Sequence, residues 1–265
     1  MEAELNYKML FQSTNWPPSE LTYEAQLMAG RAAVRRQGWD AAKDYFTKLY
    51  NNTNGPSLDL RVQALFEYGQ TLMAFVEPAE TNKLANYEQA TLAFGRICDE
   101  YPTNRLAIPA WIAKAKCYRQ WALTRQQYDS LTNALNAYQR VVDSPQADVS
   151  ARSEAKVGQA EVLEKWAKQR VGEEGTALLK QALSNCLDVF YGNSNILRDD
   201  EKPDPFWTKE AGMEAFDLAD AMQAWSQAVS IYQRLKNTVW PNLPSSLEKR
   251  ALKAQENLER EKANH

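Results

Sequence analysis

The 265-residue chain carries 31 basic and 34 acidic side chains, interspersed and netting −3, so no basic stripe marks a nucleic-acid footprint. Hydrophobic residues make up 44%, yet the uninterrupted apolar stretches are only a few residues long, too short to span a membrane. Ten glycines and eleven prolines are few for this length, as expected of a mostly helical chain with short connections.

Met1-Glu2-Ala3-Glu4-Leu5 lacks the basic and apolar regions of a signal peptide. The protein is then cytoplasmic, or it is periplasmic and a targeting sequence has been removed. Leu5 to Phe11 is apolar and ends at Asn15-Trp16-Pro17-Pro18, an ending echoed by Thr238-Val239-Trp240-Pro241. The echo makes residues 1–18 the tail of a second helix belonging to a preceding repeat.

Beyond it, amphipathic stretches alternate in two kinds. The first kind has a small residue at its centre. It runs from Thr22 to about Gln37 around Gly30, and from Leu58 to about Phe75 around Gly69. It returns after Pro109 with Trp111, Ala115 and Tyr118, from Ala151 through Gly158 to Trp166 (its register ambiguous by one residue), and from Pro205 with Trp207, Gly212 and Ala215. The second kind follows each of these and reads large-x-x-Ala-x-x-x-large-x-x-aliphatic. Its five copies are Trp39-Ala42-Phe46-Leu49, Tyr87-Ala90-Phe94-Ile97, Leu131-Ala134-Tyr138-Val141, Leu179-Ala182-Cys186-Val189 and Trp225-Ala228-Tyr232-Leu235. Offsets of three, four and three put the four side chains on one helical stripe. The alanines lie 48, 44, 48 and 46 residues apart. A near-constant period of such pairs predicts stacked hairpins, in which no unit buries its apolar face alone.

The spacing of Tyr87, Ala90, Phe94, Ile97 and Pro102, followed by Trp111, Ala115 and Tyr118, resembles the tetratricopeptide repeat position by position. Gly30 with Ala42 and Phe46 keeps that family's spacing too. Phe94-Gly-Arg-Ile-Cys-Asp-Glu-Tyr-Pro102 with Ala107 and Ala110 is similar to a bacterial subgroup that includes outer-membrane assembly lipoproteins and Tol-Pal coordination proteins. The resemblance implies an all-α, right-handed α-solenoid of about five hairpins over residues 19–244, with units near 19–54, 55–104, 105–148, 149–200 and 201–244. Ser245 to Lys262, with Leu247, Ala251, Ala254 and Leu258 on one face, is its capping helix (residues 245–265).

The repeats depart from the usual ~34 residues. The excess lies between the two helices in Val76–Asn86, Leu123–Ser130 and Lys168–Gly175, and reads as extra helical turns rather than exposed loops. Ser194 to Pro205 is the most polar and proline-bearing stretch and is the best loop candidate.

Little in the sequence points to catalysis. The only histidine is His265, expected to be disordered, so no Ser-His-Asp or Cys-His arrangement can be assembled. Cys98, Cys117 and Cys186 have no metal-ligand spacing, and Cys186, on a signature stripe, reads as a buried thiol. There is no phosphate-binding glycine loop, so no cofactor is expected. Asp199-Asp200-Glu201 and Glu173-Glu174 read as solvated charge, and a paired-carboxylate enzyme is the least favoured alternative. Asn51-Asn52-Thr53 fits a glycosylation acceptor but reads as a plain turn. Trp39, Trp111 and Trp225 sit at packing positions. Trp16 and Trp240 read as plugs between repeats, and Trp121, Trp166 and Trp207 are undetermined.

The expected function is non-catalytic binding of a protein or peptide. In tetratricopeptide proteins the first helices line the groove. Carried over by position, the groove candidates are Arg31, Arg35, Gln70, Met73, Lys116, Arg119 and Gln120, and the several cations suggest an acidic or C-terminal peptide. The carboxylate clamp of chaperone-binding members is missing, because its places hold Leu27, Arg31, Glu67, Pro109 and Ala113. The alternative is an array that self-associates through Leu5–Phe11.

Overall fold

The computed structural model describes residues 2–13, 17–75, 80–240 and 242–263, and among them every regular element is a helix. The calls on Trp16, Val76–Ala79, Pro241 and His265 fall outside the described residues. The chain divides into two compact units, residues 1–133 and 134–265, each with its own core.

In the first unit, α1 (Glu2–Gln12) packs on α2 (Glu20–Arg35), and α2 forms a hairpin with α3 (Trp39–Asn51). The next hairpin is α4 (Leu58–Ala74) with α5 (Glu80–Glu100), followed by α6 (Ala107–Arg125) and a short 3-10 turn at Tyr128–Ser130. Each helix contacts the one that follows, and α2, α4 and α6 also touch in succession. The helix α7 (Leu131–Asp143) begins at the end of this unit and runs into the second. The second unit continues with α8 (Val149–Ala167), α9 (Glu173–Tyr191), α10 (Pro205–Ala221), α11 (Trp225–Arg234) and α12 (Ser245–Ala263). From α8 onward these pack in chain order, and α8 also touches α10. This is the all-α helical-repeat architecture that the periodicity predicts.

The signature stripes fall on α3, α5, α7, α9 and α11, the fifth ending at Leu235 just past α11, and all five alanines are fully buried. The central glycines explain how such close packing is possible. A Cβ on Gly30 would lie 2.4 Å from the Phe46 ring, and one on Gly69 would lie 2.6 Å from Phe94. Bare backbone on the first helix therefore receives the stripe's ring. In the second unit the ring comes from the preceding helix: Tyr138 lies over Gly158, and Phe190 over Gly212.

The helices begin where the sequence supplies caps. Ser57, Asp148 and Asp204 accept hydrogen bonds from the amides of Leu60, Ala151 and Trp207, and Pro205 takes the first helical position of α10. The third first helix starts at Ala107, two residues ahead of the predicted Pro109, which a first turn tolerates. Of the segments between paired helices, 80–86 is helical and Leu123–Ser130 holds the end of α6 and the 3-10 turn, but Lys168–Gly175 is mainly a turn ahead of α9, which corrects the expectation of extra helical turns there. The helices α5 and α9 begin ahead of Tyr87 and Leu179, whereas α3 and α11 start at Trp39 and Trp225, the first residues of their stripes.

The Ser194–Pro205 stretch is a loop, as predicted, but it is not merely solvated. Arg152, on α8 and 1% exposed, donates from Nε to the Ile196 carbonyl at 2.9 Å and from its Nη atoms to the Ala147 carbonyl and the Glu201 carboxylate. Arg198 donates to the carbonyls of Ser144 and Pro145 at 2.7 and 3.0 Å. Two arginines thus clamp the α9–α10 loop onto the α7–α8 turn, which corrects the reading of Glu201 as plain solvated charge.

At the end of the second unit α12 buries Leu247, Ala251 and Ala254 against α11, and Arg250 pairs with Asp217 and Asp220 of α10. Between them, Leu235–Val239 forms one π-helical turn ending at Trp240, whose ring carries the Lys209 ammonium at 3.6 Å.

Candidate protein-binding surface

The first helices α2, α4 and α6 lie in succession within the first unit, and they carry all seven groove candidates.

Arg31 is half-buried and already engaged. Its Nε donates to Glu67 Oε1 at 2.8 Å, and Nη2 lies 2.7 Å from the same oxygen. The bond ties α2 to α4 and leaves that part of the surface close to neutral. Arg35, in the last turn of α2, is exposed and is the more available cation. Gln70 is half-buried, and Met73 packs against the core. Lys116, Arg119 and Gln120 are half-buried on α6, where the Gln120 carbonyl accepts the Thr124 hydroxyl at 2.8 Å. At the places of the chaperone-type clamp, Leu27 and Ala113 are buried in the core and Arg31 is paired with Glu67.

The arrangement can therefore offer one exposed guanidinium, amide and thioether contacts, and the ammonium and guanidinium of α6. Glu67 was the component that sequence reasoning missed. Its distance of 36 residues from Arg31 is close to the 39 that separate Gly30 from Gly69, so pairing between adjacent first helices was the available signal.

Burial and neighbouring charges shift several titratable groups elsewhere. Burial pushes the thiols of Cys98 and Cys117 up to about 12 and that of Cys186 higher still. All three are free and buried, as read for Cys186. On α10 burial raises Glu214, and the nearby carboxylates of Glu164 and Asp217 add to the rise. Burial also disfavours ionised Glu164, but the hydrogen bond from Lys168 and the charge of Lys165 outweigh it and bring its pKa below the ordinary value. Among the described residues no group of three or more His, Cys, Asp or Glu is placed to hold a metal ion, and no helix is long and apolar enough to cross a membrane.

The tryptophans mostly pack without vanishing from the surface. Trp39 is half-buried with its ring 5.7 Å from Phe75, and Trp111 and Trp121 lie against the first core. Trp207 and Trp225 lie against the second core, while the Nε1 of Trp166 is buried without an acceptor. A comparison with models of known protein families finds no match, and a comparison with curated proteins likewise finds none.

Proposed function

We propose that the protein is a non-catalytic interaction module of tetratricopeptide type, which binds a peptide or helix along α2, α4 and α6. The observation that carries this reading is the direct succession of these three helices in the first unit, which brings the seven candidates onto neighbouring helices. A rigid, preformed surface of this kind spends little ordering entropy on binding, and most of its contacts are made by side chains already held in place. Arg35, Lys116 and Arg119 favour a ligand with acidic residues or a free carboxylate. The similarity of the Phe94–Pro102 phrase to envelope proteins supports a role in bacterial envelope assembly.

The test must spare Arg31, since Arg31→Glu would place two carboxylates together across α2 and α4 and disturb the fold. Affinity capture from a lysate of the source organism should compare the wild type with the double variant Arg35→Glu, Arg119→Glu. A protein retained by the wild type and lost by the variant, at unchanged thermal stability, is the expected result. Equal retention by both rejects binding along these helices.

A further inference from the structure

Asn54-Gly55 is the one Asn-Gly pair in the sequence. It stands in the turn that joins α3 to α4, where both residues are exposed and outside any helix. The Asn54 N–H donates to Asn52 Oδ1 at 3.1 Å, and its carbonyl accepts the Tyr23 hydroxyl at 3.5 Å. The Asn54 carboxamide and the Gly55 N–H have no hydrogen-bond partner among the described residues. These are the two groups that react with each other when an asparagine deamidates, and here both are free. The turn also fixes glycine at position 55. Its φ is +132°, and a Cβ there would collide with the Tyr23 hydroxyl. The fold thus keeps the one residue whose missing side chain leaves its nitrogen open to a close approach. Other surface asparagines are held. Asn104 donates to Asp59 at 3.2 Å and accepts the Leu106 N–H at 2.9 Å. Asn193 and Asn195 donate to Asp188 at 2.9 and 3.2 Å. Each is followed by a residue with a Cβ, namely Arg105, Ser194 or Ile196.

We infer that Asn54 is a site of spontaneous covalent modification, deamidating through a succinimide with water as the only co-reactant. Base removes the Gly55 amide proton, and the nitrogen attacks Asn54 Cγ. The N–Cγ bond forms, the bond from Cγ to the side-chain nitrogen breaks, and ammonia leaves with the proton. Water then adds to one of the two ring carbonyls and opens the ring there. Opening at Cγ leaves an aspartate. Opening at the main-chain carbonyl leaves an isoaspartate, whose free carboxylate includes the oxygen that Tyr23 contacts and whose backbone runs through Cγ. Either product adds one negative charge, and nothing is oxidised or reduced. The change falls where the turn is tied to α2, since the Glu20 carboxylate accepts the Ser57 N–H at 3.1 Å and Tyr23 reaches Asn54. It therefore ages the α2 contact of this turn with time and alkalinity. The site does not depend on the peptide-binding reading of α2, α4 and α6.

The folded full chain is incubated at neutral and at mildly alkaline pH, sampled over days, digested with trypsin and weighed by mass spectrometry. The same chain held unfolded in urea supplies the reference rate, and a sample taken at the start corrects for changes during digestion. Peptide 49–61 is expected to gain about 1 Da as the carboxamide becomes a carboxylate. Fragment ions should place the gain on residue 54, and the rate should rise with pH because base must take the Gly55 proton. Peptide 181–198, which carries Asn193 and Asn195, should keep its mass over the same period. Asn54→Gln, whose longer side chain must close a larger ring, should also keep its mass while melting like the wild type. Folded protein whose peptide 49–61 stays unchanged while the unfolded reference converts overturns the inference. So does a gain that falls on residue 51 or 52, or equal conversion of peptide 181–198.

Discussion

Gly30 and Phe46 show how a single residue sets the distance between two helices. The Phe46 ring sits where a Cβ on residue 30 would be, at 2.4 Å. In an exposed helix, replacing glycine by alanine gains up to about 1 kcal/mol in propensity. Here the gain is outweighed, because Phe46 is fully buried in a packed core and has no space to retreat into. Overpacking of this kind typically costs about 1–3 kcal/mol. Gly30→Ala is therefore expected to lower the urea midpoint with an unchanged m-value, and Phe46→Leu in the same chain should recover part of the loss. A Gly30→Ala variant as stable as the wild type would show that the ring is not held where the structure places it.

At the scale of elements, α1 is fastened by a buried polar node beside the packing of Tyr7 and Phe11 on the first core, while Leu5, Met9 and Leu10 point outward. Glu4 is buried, pairs with Arg36 at the end of α2, and accepts the Tyr45 hydroxyl of α3 at 3.2 Å. The Arg36 hydrogen bond, followed by its charge and the Tyr45 bond, lowers the Glu4 pKa against the opposing effect of burial. A carboxylate whose folded pKa is depressed contributes stability that is present above its unfolded value, near 4.5, and is lost as the pH falls through the lower folded value. Glu4→Gln should therefore lower the thermal midpoint at pH 7, and the gap from the wild type should close in acid, below the unfolded value. A gap that persists unchanged into acid would mean that the carboxylate's charge contributes nothing to docking α1. Sequence reasoning identified α1 as a helix of the second kind from its apolar run. It could not see Glu4 as an anchor, because a glutamate between Ala3 and Leu5 has the pattern of a solvated face. The same limit separates Ala42 from Arg152. A small residue on an apolar stripe announces a close contact in the sequence, and all five signature alanines are buried as their spacing implies. A buried arginine does not announce itself, since its acceptors are backbone carbonyls and a carboxylate up to 49 residues away that only the fold brings near. The candidates' places on the first helices were readable through the tetratricopeptide resemblance. The neutralisation of Arg31 by Glu67 was not, because it depends on side-chain direction across two helices.

At the scale of the whole molecule, the two cores belong to separate stretches of chain, residues 27–117 and 157–254. In arrays whose helices contact only near neighbours, stability is a sum of local and nearest-neighbour terms, so damage spreads a short distance along the chain. Arg152 offers a direct check, because its contacts all lie between Ala147 and Glu201. Methionine at this place fills much of the same volume but strands the carbonyl of Ile196, worth about 1–3 kcal/mol when left without a donor, while Ala147 keeps its bond from Arg198. Arg152→Met should accordingly destabilise the second unit by about 1–3 kcal/mol. Hydrogen exchange followed by mass spectrometry should then quicken in α8, α9, α10 and the loop between Gly192 and Asp204, and remain at wild-type rates in α2, α3 and α4. Equal acceleration in α2 to α4 would mean that the whole chain opens as one cooperative body, which the separation of its two cores argues against.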